Sequence, residues 1–137
     1  MQKCQNSTVN TFGKDTTGQV LYTFNQQGFR SHFDYVTSPS IAFFGCSVVL
    51  GIGVNQDKIT TSYFANSHNY GLSGKYSNQD IYQLIKQFTL SHLYKETPII
   101  VVWHLRDDDN LNQYYDDLKS FDIYHFFCGQ KLLLPNC

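Results

Sequence analysis

The sequence predicts an α/β domain built around a parallel sheet. Two observations carry that expectation: short apolar runs at residues 40–45 and 99–103 alternate with helical periodicity, and no hairpin turn separates them. At 137 residues the chain has the length of one ordinary domain. Eleven Phe and ten Tyr supply ample apolar area for a packed core. Residues 1–18 read as a polar N-terminal segment, and residues 19–137 as the domain itself.

Taken in order, the chain is polar and loose up to about Asp15, and residues 19–24 suit an outer strand followed by the turn-like Asn25-Gln26-Gln27-Gly28-Phe29-Arg30. Ser40-Ile41-Ala42-Phe43-Phe44-Gly45 is a buried run closed by Gly, which predicts the central strand. Residues 57–65 read as a short helix, and residues 67–70 as a second strand ending at Gly71. Ile81, Leu84, Ile85, Phe88 and Leu93 recur at helical spacing, so a helix is expected over 78–93 with Ser77 or Asn78 as its N-cap. Residues 99–103 form a third, β-branched strand, and residues 110–121 a further helix. The tail reads differently, because 124–127 and 131–134 flank Cys128-Gly129-Gln130 as the arms of a hairpin would.

Composition excludes several classes. Ten Lys and Arg against eleven Asp and Glu leave a formal charge of −1 with no basic run, so nucleic acid is not an expected partner. No apolar stretch follows the N-terminus and the longest apolar run, 98–103, is too short to span a bilayer. A cytoplasmic location without a membrane span is therefore expected. Cys4, Cys46, Cys128 and Cys137 are widely scattered and include no CxxC pair, which reads as free thiols and against zinc or a disulfide framework.

The segment Gly45-Cys46-Ser47-Val48-Val49-Leu50-Gly51-Ile52-Gly53-Val54 places a serine just beyond the end of a buried strand. Carboxyl ends of strands line the ligand crevice of open α/β sheets, so the Ser47 hydroxyl is suitably placed to react, with its own N–H as an oxyanion donor. Val49 stands where the G-x-S-x-G elbow needs its second Gly, and no Gly-Lys-Ser/Thr follows to make a P-loop. On spacing alone, a structural turn serine explains the segment as well as a nucleophile does. Cys46 is a rival nucleophile as a thiolate, although no cation adjoins it in sequence. A phosphate cradle at Gly51 to Gly53 is a more distant reading.

Over roughly residues 22–106 the order of segments resembles the SGNH/GDSL hydrolase superfamily. Gly45-Cys46-Ser47 followed by Gly51 is similar to the family's first block, with Cys46 where Asp is usual. Asn25-Gln26-Gln27-Gly28-Phe29-Arg30 is similar to the Asn-x-x-Gly-x-Arg lead-in of some branches, and Asn69-Tyr70-Gly71-Leu72-Ser73-Gly74 to the second block. The resemblance implies a three-layer α/β/α sandwich with a mostly parallel, flavodoxin-like sheet. It also implies ester hydrolysis, with Ser47 as nucleophile and the Gly71 N–H in the oxyanion hole. No metal or organic cofactor is implied, and the partner would be a small-molecule or acylated substrate.

The third block departs from the family pattern: Trp103-His104-Leu105-Arg106-Asp107 replaces Gly-x-Asn-Asp. Arg106 either donates N–H groups to the oxyanion or pairs with Asp107 to Asp109 at the surface. Asp122-Ile123-Tyr124-His125 has the spacing of the family's Asp-x-x-His, in which His is the general base, but follows the third strand too soon. The alternative base is His104, beyond the third strand. Because the expected order breaks off early, the domain reads as incomplete on its C-terminal side, with a sheet edge open to self-association. The rival to an esterase is a non-catalytic remnant or binding module of the same fold. A histidine within hydrogen-bond reach of Ser47 favours the enzyme, and a crevice without a base favours the binding module.

Overall fold

A computed structural model describes residues 7–11, 20–105 and 111–129. Four parallel strands form the main sheet: β3 (Ile41–Gly45), β4 (Ser67–Gly71), β5 (Ile99–His104) and β6 (Ile123–Cys128), in the order β4-β3-β5-β6. Ahead of them, β1 (Ser7–Thr11) and β2 (Val20–Phe24) pair antiparallel as a separate two-stranded sheet. The expectation of a mixed α/β fold with a parallel sheet therefore holds. Among the described residues, no helix is long and apolar enough to cross a membrane.

Among the described residues, three α-helices connect the strands: α1 (Ser47–Leu50), α2 (Asn78–Thr89) and α3 (Leu111–Leu118). Helix α2 starts at Ser77, whose hydroxyl accepts from the Asp80 N–H while the Asp80 carboxylate accepts from the Ser77 N–H. This reciprocal capping satisfies two of the donors a helix start leaves open. The helix ends at Thr89, earlier than its periodicity suggests, where the Thr89 and Ser91 hydroxyls donate to the carbonyls of Lys86 and Phe88.

Alternation along the strands decides which face is core. Ala42 and Phe44 of β3 align with Ile99 and Val101 of β5, and together with Trp103 they pack beneath Ile81, Leu84, Ile85 and Phe88 of α2 and Tyr114 and Leu118 of α3. Ile100, Val102, Tyr124 and Phe126 take the opposite face, where Tyr124 and Phe126 are each 54% exposed. Strand β6 pairs only with β5 among the described residues, and an edge of that kind is what strand-to-strand association requires.

Two local expectations are corrected. Residues 7–11 form a strand, because pairing with β2 gives their polar backbone a ladder that composition cannot reveal. The helix expected over 57–65 is two short 3-10 turns, Gln56–Lys58 and Thr60–Tyr63, separated by Ile59 in an extended conformation. The β-branched run Ile59-Thr60-Thr61 resists a continuous α-helix there. Strand β6 runs parallel to β5 after the α3 crossover, and the hairpin expected between it and residues 131–134 cannot be placed from β6 alone. Residues 131–134 lie outside the described residues.

His68, on β4, is 1% exposed and stacks on Tyr35 with ring centroids 3.8 Å apart, while its Nδ1 lies 2.8 Å from the Tyr70 hydroxyl. Burial holds its imidazole well below the ordinary value of 6.5, at about 4. The unfolded chain thus takes up this proton at a higher pH than the folded chain does. Stability tied to the neutral ring is complete above about pH 6.5 and is lost as pH falls towards about 4. With solvent screening the expected loss is on the order of 1–3 kcal/mol. Urea denaturation at about pH 7 and about pH 4.5 checks it: the wild type loses this component, and His68→Phe, which keeps a ring against Tyr35, lacks it. Equal pH dependence in the two proteins would refute the assignment.

Candidate functional site

From β3 the chain crosses to β4 on one side, then returns to place β5 on the other side of β3. Connections leaving the carboxyl ends of β3 and β5 therefore diverge, which is where the ligand crevice usually lies in such sheets. Cys46 and Ser47 follow β3 at this end, Gly71 ends β4, His104 ends β5 and Cys128 ends β6.

Ser47 is the first residue of α1 and is half-buried. The turn behind it is held from several directions. Gly51 caps α1 in the left-handed region, φ 84°, and its N–H donates to the Ser47 carbonyl at 2.8 Å. Arg30, 1% exposed, donates from Nη1 to the carbonyls of Gly51 (2.6 Å) and Leu50 (3.2 Å), from Nη2 to Val54 (2.6 Å), and from Nε to Gln56 Oε1 (2.8 Å). Its guanidinium lies 4.5 Å from the Tyr22 ring centroid, and the Tyr22 hydroxyl accepts from the Gly53 N–H at 2.7 Å. Burial pulls the Arg30 pKa down, but the ring of carbonyls solvates the cation.

The lead-in segment explains how Arg30 reaches this position. Asn25 Oδ1 accepts from the N–H groups of Gln27 and Phe29, folding 25–30 into a compact turn. The Asn-x-x-Gly-x-Arg pattern thus contributes a clamp on the serine turn. Sequence reading located the pattern and missed that role, because the acceptors are backbone carbonyls twenty or more residues away.

Asn69 ties the turn to β4: its Nδ2 donates to the Val49 carbonyl at 3.0 Å, and its Oδ1 accepts from the Gly71 N–H at 2.8 Å. The Gly71 N–H is therefore engaged by a side chain instead of facing the crevice as an open donor. Gly71 has a packing reason to be Gly, since a Cβ there would run into the α1 backbone at Leu50 and Val49.

Of the candidate bases, His104 is brought to the crevice and His125 is not. In the β3–β5 register Gly45 lies opposite Val102, so Ser47 and His104 each follow that pair by two residues, Ser47 in α1 and His104 at the end of β5. Asn78, fully buried, accepts from the His104 N–H at 3.0 Å and donates to its carbonyl at 2.7 Å, which fixes that strand end. His125 sits within β6 on the α3 side, where Nδ1 accepts from Trp103 Nε1 at 2.9 Å and the ring packs against Tyr115. Burial lowers its pKa. Asp122 lends its carbonyl to the Ile99 N–H as part of the sheet, so the Asp-x-x-His spacing here belongs to a strand. Among the described residues, no histidine hydrogen-bonds to the Ser47 hydroxyl. Arg106 lies outside the described residues.

Two further features surround the site. A cavity of about 690 Å³ lies behind the serine turn, lined by Arg30, Tyr35, Gln56, Thr61 and Asn69 among others, and does not include Ser47. At the crevice, Cys46 Sγ lies 3.4 Å from Cys128 Sγ, which lies 3.7 Å from His104 Nδ1. Sequence spacing hides this group, because its members end three different strands. The signal available was that each follows a β-branched or aromatic run at its carboxyl end.

Comparison of the chain with protein-family models, curated proteins and solved structures finds no match.

Proposed function

We propose that the chain is an SGNH/GDSL-like hydrolase that cleaves ester bonds with Ser47 as its nucleophile. The observation that carries this reading is the position of Ser47, half-buried at the switch point of a parallel sheet on a turn clamped by Arg30 and Asn69. Such a turn costs little reorganisation when an acyl group binds. The strand order β4-β3-β5-β6 is also the order of the first four strands in a flavodoxin-like sheet, and the three-layer sandwich is part of the same proposal.

In this mechanism the Ser47 oxygen attacks the acyl carbonyl, whose π electrons move onto oxygen, and the Ser47 N–H donates to that oxyanion. His104 takes the hydroxyl proton and returns it to the leaving alcohol. Water then releases the acyl group by the reverse sequence. Hydrogen bonds of this kind are often long before substrate binds, which accommodates a His104 turned towards Cys128. No cofactor takes part, and the substrate is a small or acylated ester.

The second reading, a non-catalytic binding module of the same fold, is favoured by one observation: the Ser47 hydroxyl has no histidine partner among the described residues. Labelling with a fluorophosphonate probe separates the two. The expected result is a single adduct on Ser47 that Ser47→Ala abolishes, with aryl-ester hydrolysis falling by about 10³-fold or more. His104→Gln is expected to reduce turnover by about 10²- to 10⁴-fold. A well-folded chain that neither labels nor hydrolyses leaves the binding module standing.

A further inference from the structure

We propose that Cys46, His104 and Cys128 form a three-ligand site for a zinc-class divalent cation at the carboxyl end of the sheet. Their donor atoms, Cys46 Sγ, Cys128 Sγ and one ring nitrogen of His104, all lie within 4.8 Å of one another. Tetrahedral zinc with Zn–S of about 2.3 Å and Zn–N of about 2.0–2.1 Å sets its S···S edges near 3.8 Å and its S···N edges near 3.6 Å. The observed 3.4 Å between the sulfurs and 3.7 Å between Cys128 Sγ and His104 Nδ1 need adjustments of a few tenths of an ångström, and the Cys46–His104 edge, within 4.8 Å, needs at most about an ångström.

Three features support a site over an accident of packing. Cys46 occupies the N-cap of α1, where Ser, Thr, Asp or Asn normally serve, yet makes no side-chain cap hydrogen bond. Its sulfur points instead to Cys128. His104 and Cys128 end β5 and β6 directly opposite in register, Cys46 follows β3, and Asn78 pins the His104 backbone on both sides. Pre-positioning of this kind lowers the entropy cost of assembling a coordination shell. Finally, burial is graded: Cys46 is 1% exposed, while His104 and Cys128 are half-buried and leave an approach from solvent.

Charge also fits. Two thiolates and a neutral imidazole offset a dication, so the filled site places no net charge beside the core. Binding releases two thiol protons to solvent and leaves a fourth position for water or an anion. A Cys46–Cys128 disulfide is the competing use of the sulfurs, but it needs an oxidant and gives His104 no part. Occupation would turn His104 from a base into a ligand, so metal binding and Ser47 activation would compete for it. The site itself does not depend on the ester-hydrolysis reading.

The test uses the whole chain, reduced and stripped of metal, titrated with Co²⁺ and then Zn²⁺. The expected result is a thiolate-to-cobalt charge-transfer band saturating at one equivalent, with the intense visible absorption of a four-coordinate ion, erased by Zn²⁺. Cys128→Ser and His104→Gln should each weaken Zn²⁺ binding by about 10- to 100-fold or more, with unchanged far-ultraviolet circular dichroism. If Cys128→Ser does not fold, the wild-type spectrum and His104→Gln still decide the matter. Absence of the charge-transfer band in folded, reduced wild type overturns the proposal. So does undiminished binding in His104→Gln, or a Cys46–Cys128 disulfide that survives excess reductant. Because none of these readouts is catalytic, failure here leaves the Ser47 labelling result untouched, and the reverse.

Discussion

Arg30→Ala is expected to destabilise the fold by about 3–5 kcal/mol, because it removes the centre of a buried hydrogen-bond network. The guanidinium satisfies three backbone carbonyls and Gln56 at once and lies against Tyr22. Among the described residues no carboxylate pairs with it, so its charge is solvated entirely by dipoles and a ring. Truncation leaves those carbonyls without a donor in a place water reaches poorly, and opens a void where the side chain lay. For a chain of this length the expected fall in Tm is about 10–20 °C. Arg30→Lys should recover little of it, since an ammonium cannot reach the carbonyls of Leu50, Gly51 and Val54 together with Gln56. Thermal melts of the three proteins test this, with amide exchange at Gly51 to Val54 reporting where the loosening occurs. A melting point for Arg30→Ala within a degree or two of wild type would sink the clamp argument.

Gly71→Ala has the second-largest expected effect, a loss of about 3 kcal/mol. The added Cβ would press on the Leu50 N–H, with Leu50 Cα at 2.7 Å and Val49 carbonyl carbon at 2.9 Å. These are backbone atoms of α1, and Arg30 and Asn69 prevent that segment from backing away. Relief therefore has to come from shifting the turn that carries Ser47. Gly74→Ala is the internal control, because nothing lies within 4 Å of its would-be Cβ, and it should stay within about 0.5 kcal/mol of wild type. Urea midpoints measure both. Alanine keeps the N–H, so a large loss of stability would assign Gly71 to close packing, whereas a stable Gly71→Ala would remove that explanation.

Elements with a strong period were legible in the sequence. Ser40-Ile41-Ala42-Phe43-Phe44-Gly45 suits a buried strand, and Ser77 or Asn78 ahead of Ile81, Leu84 and Ile85 marks a capped helix, because both signals are local. Elements whose identity comes from partners were not. Residues 7–11 are a strand because β2 lies beside them, and residues 123–128 run parallel to β5 because α3 carries the chain back across the sheet.

The site divides along the same line. Ser47 at the end of a buried strand could be read from the residues alone, since a glycine-flanked polar residue after an apolar run marks a strand end at the crevice. Which groups would face it could not. The tertiary structure took His125 to the α3 side and His104 to the crevice, spent the Gly71 N–H on Asn69, and brought together two cysteines 82 residues apart with a histidine between them in the sheet. Sequence determined the strongly periodic elements and the candidate nucleophile because those depend on neighbours along the chain. Strand order and register decided the rest, because only they set which side chains from distant segments share a few ångströms of space.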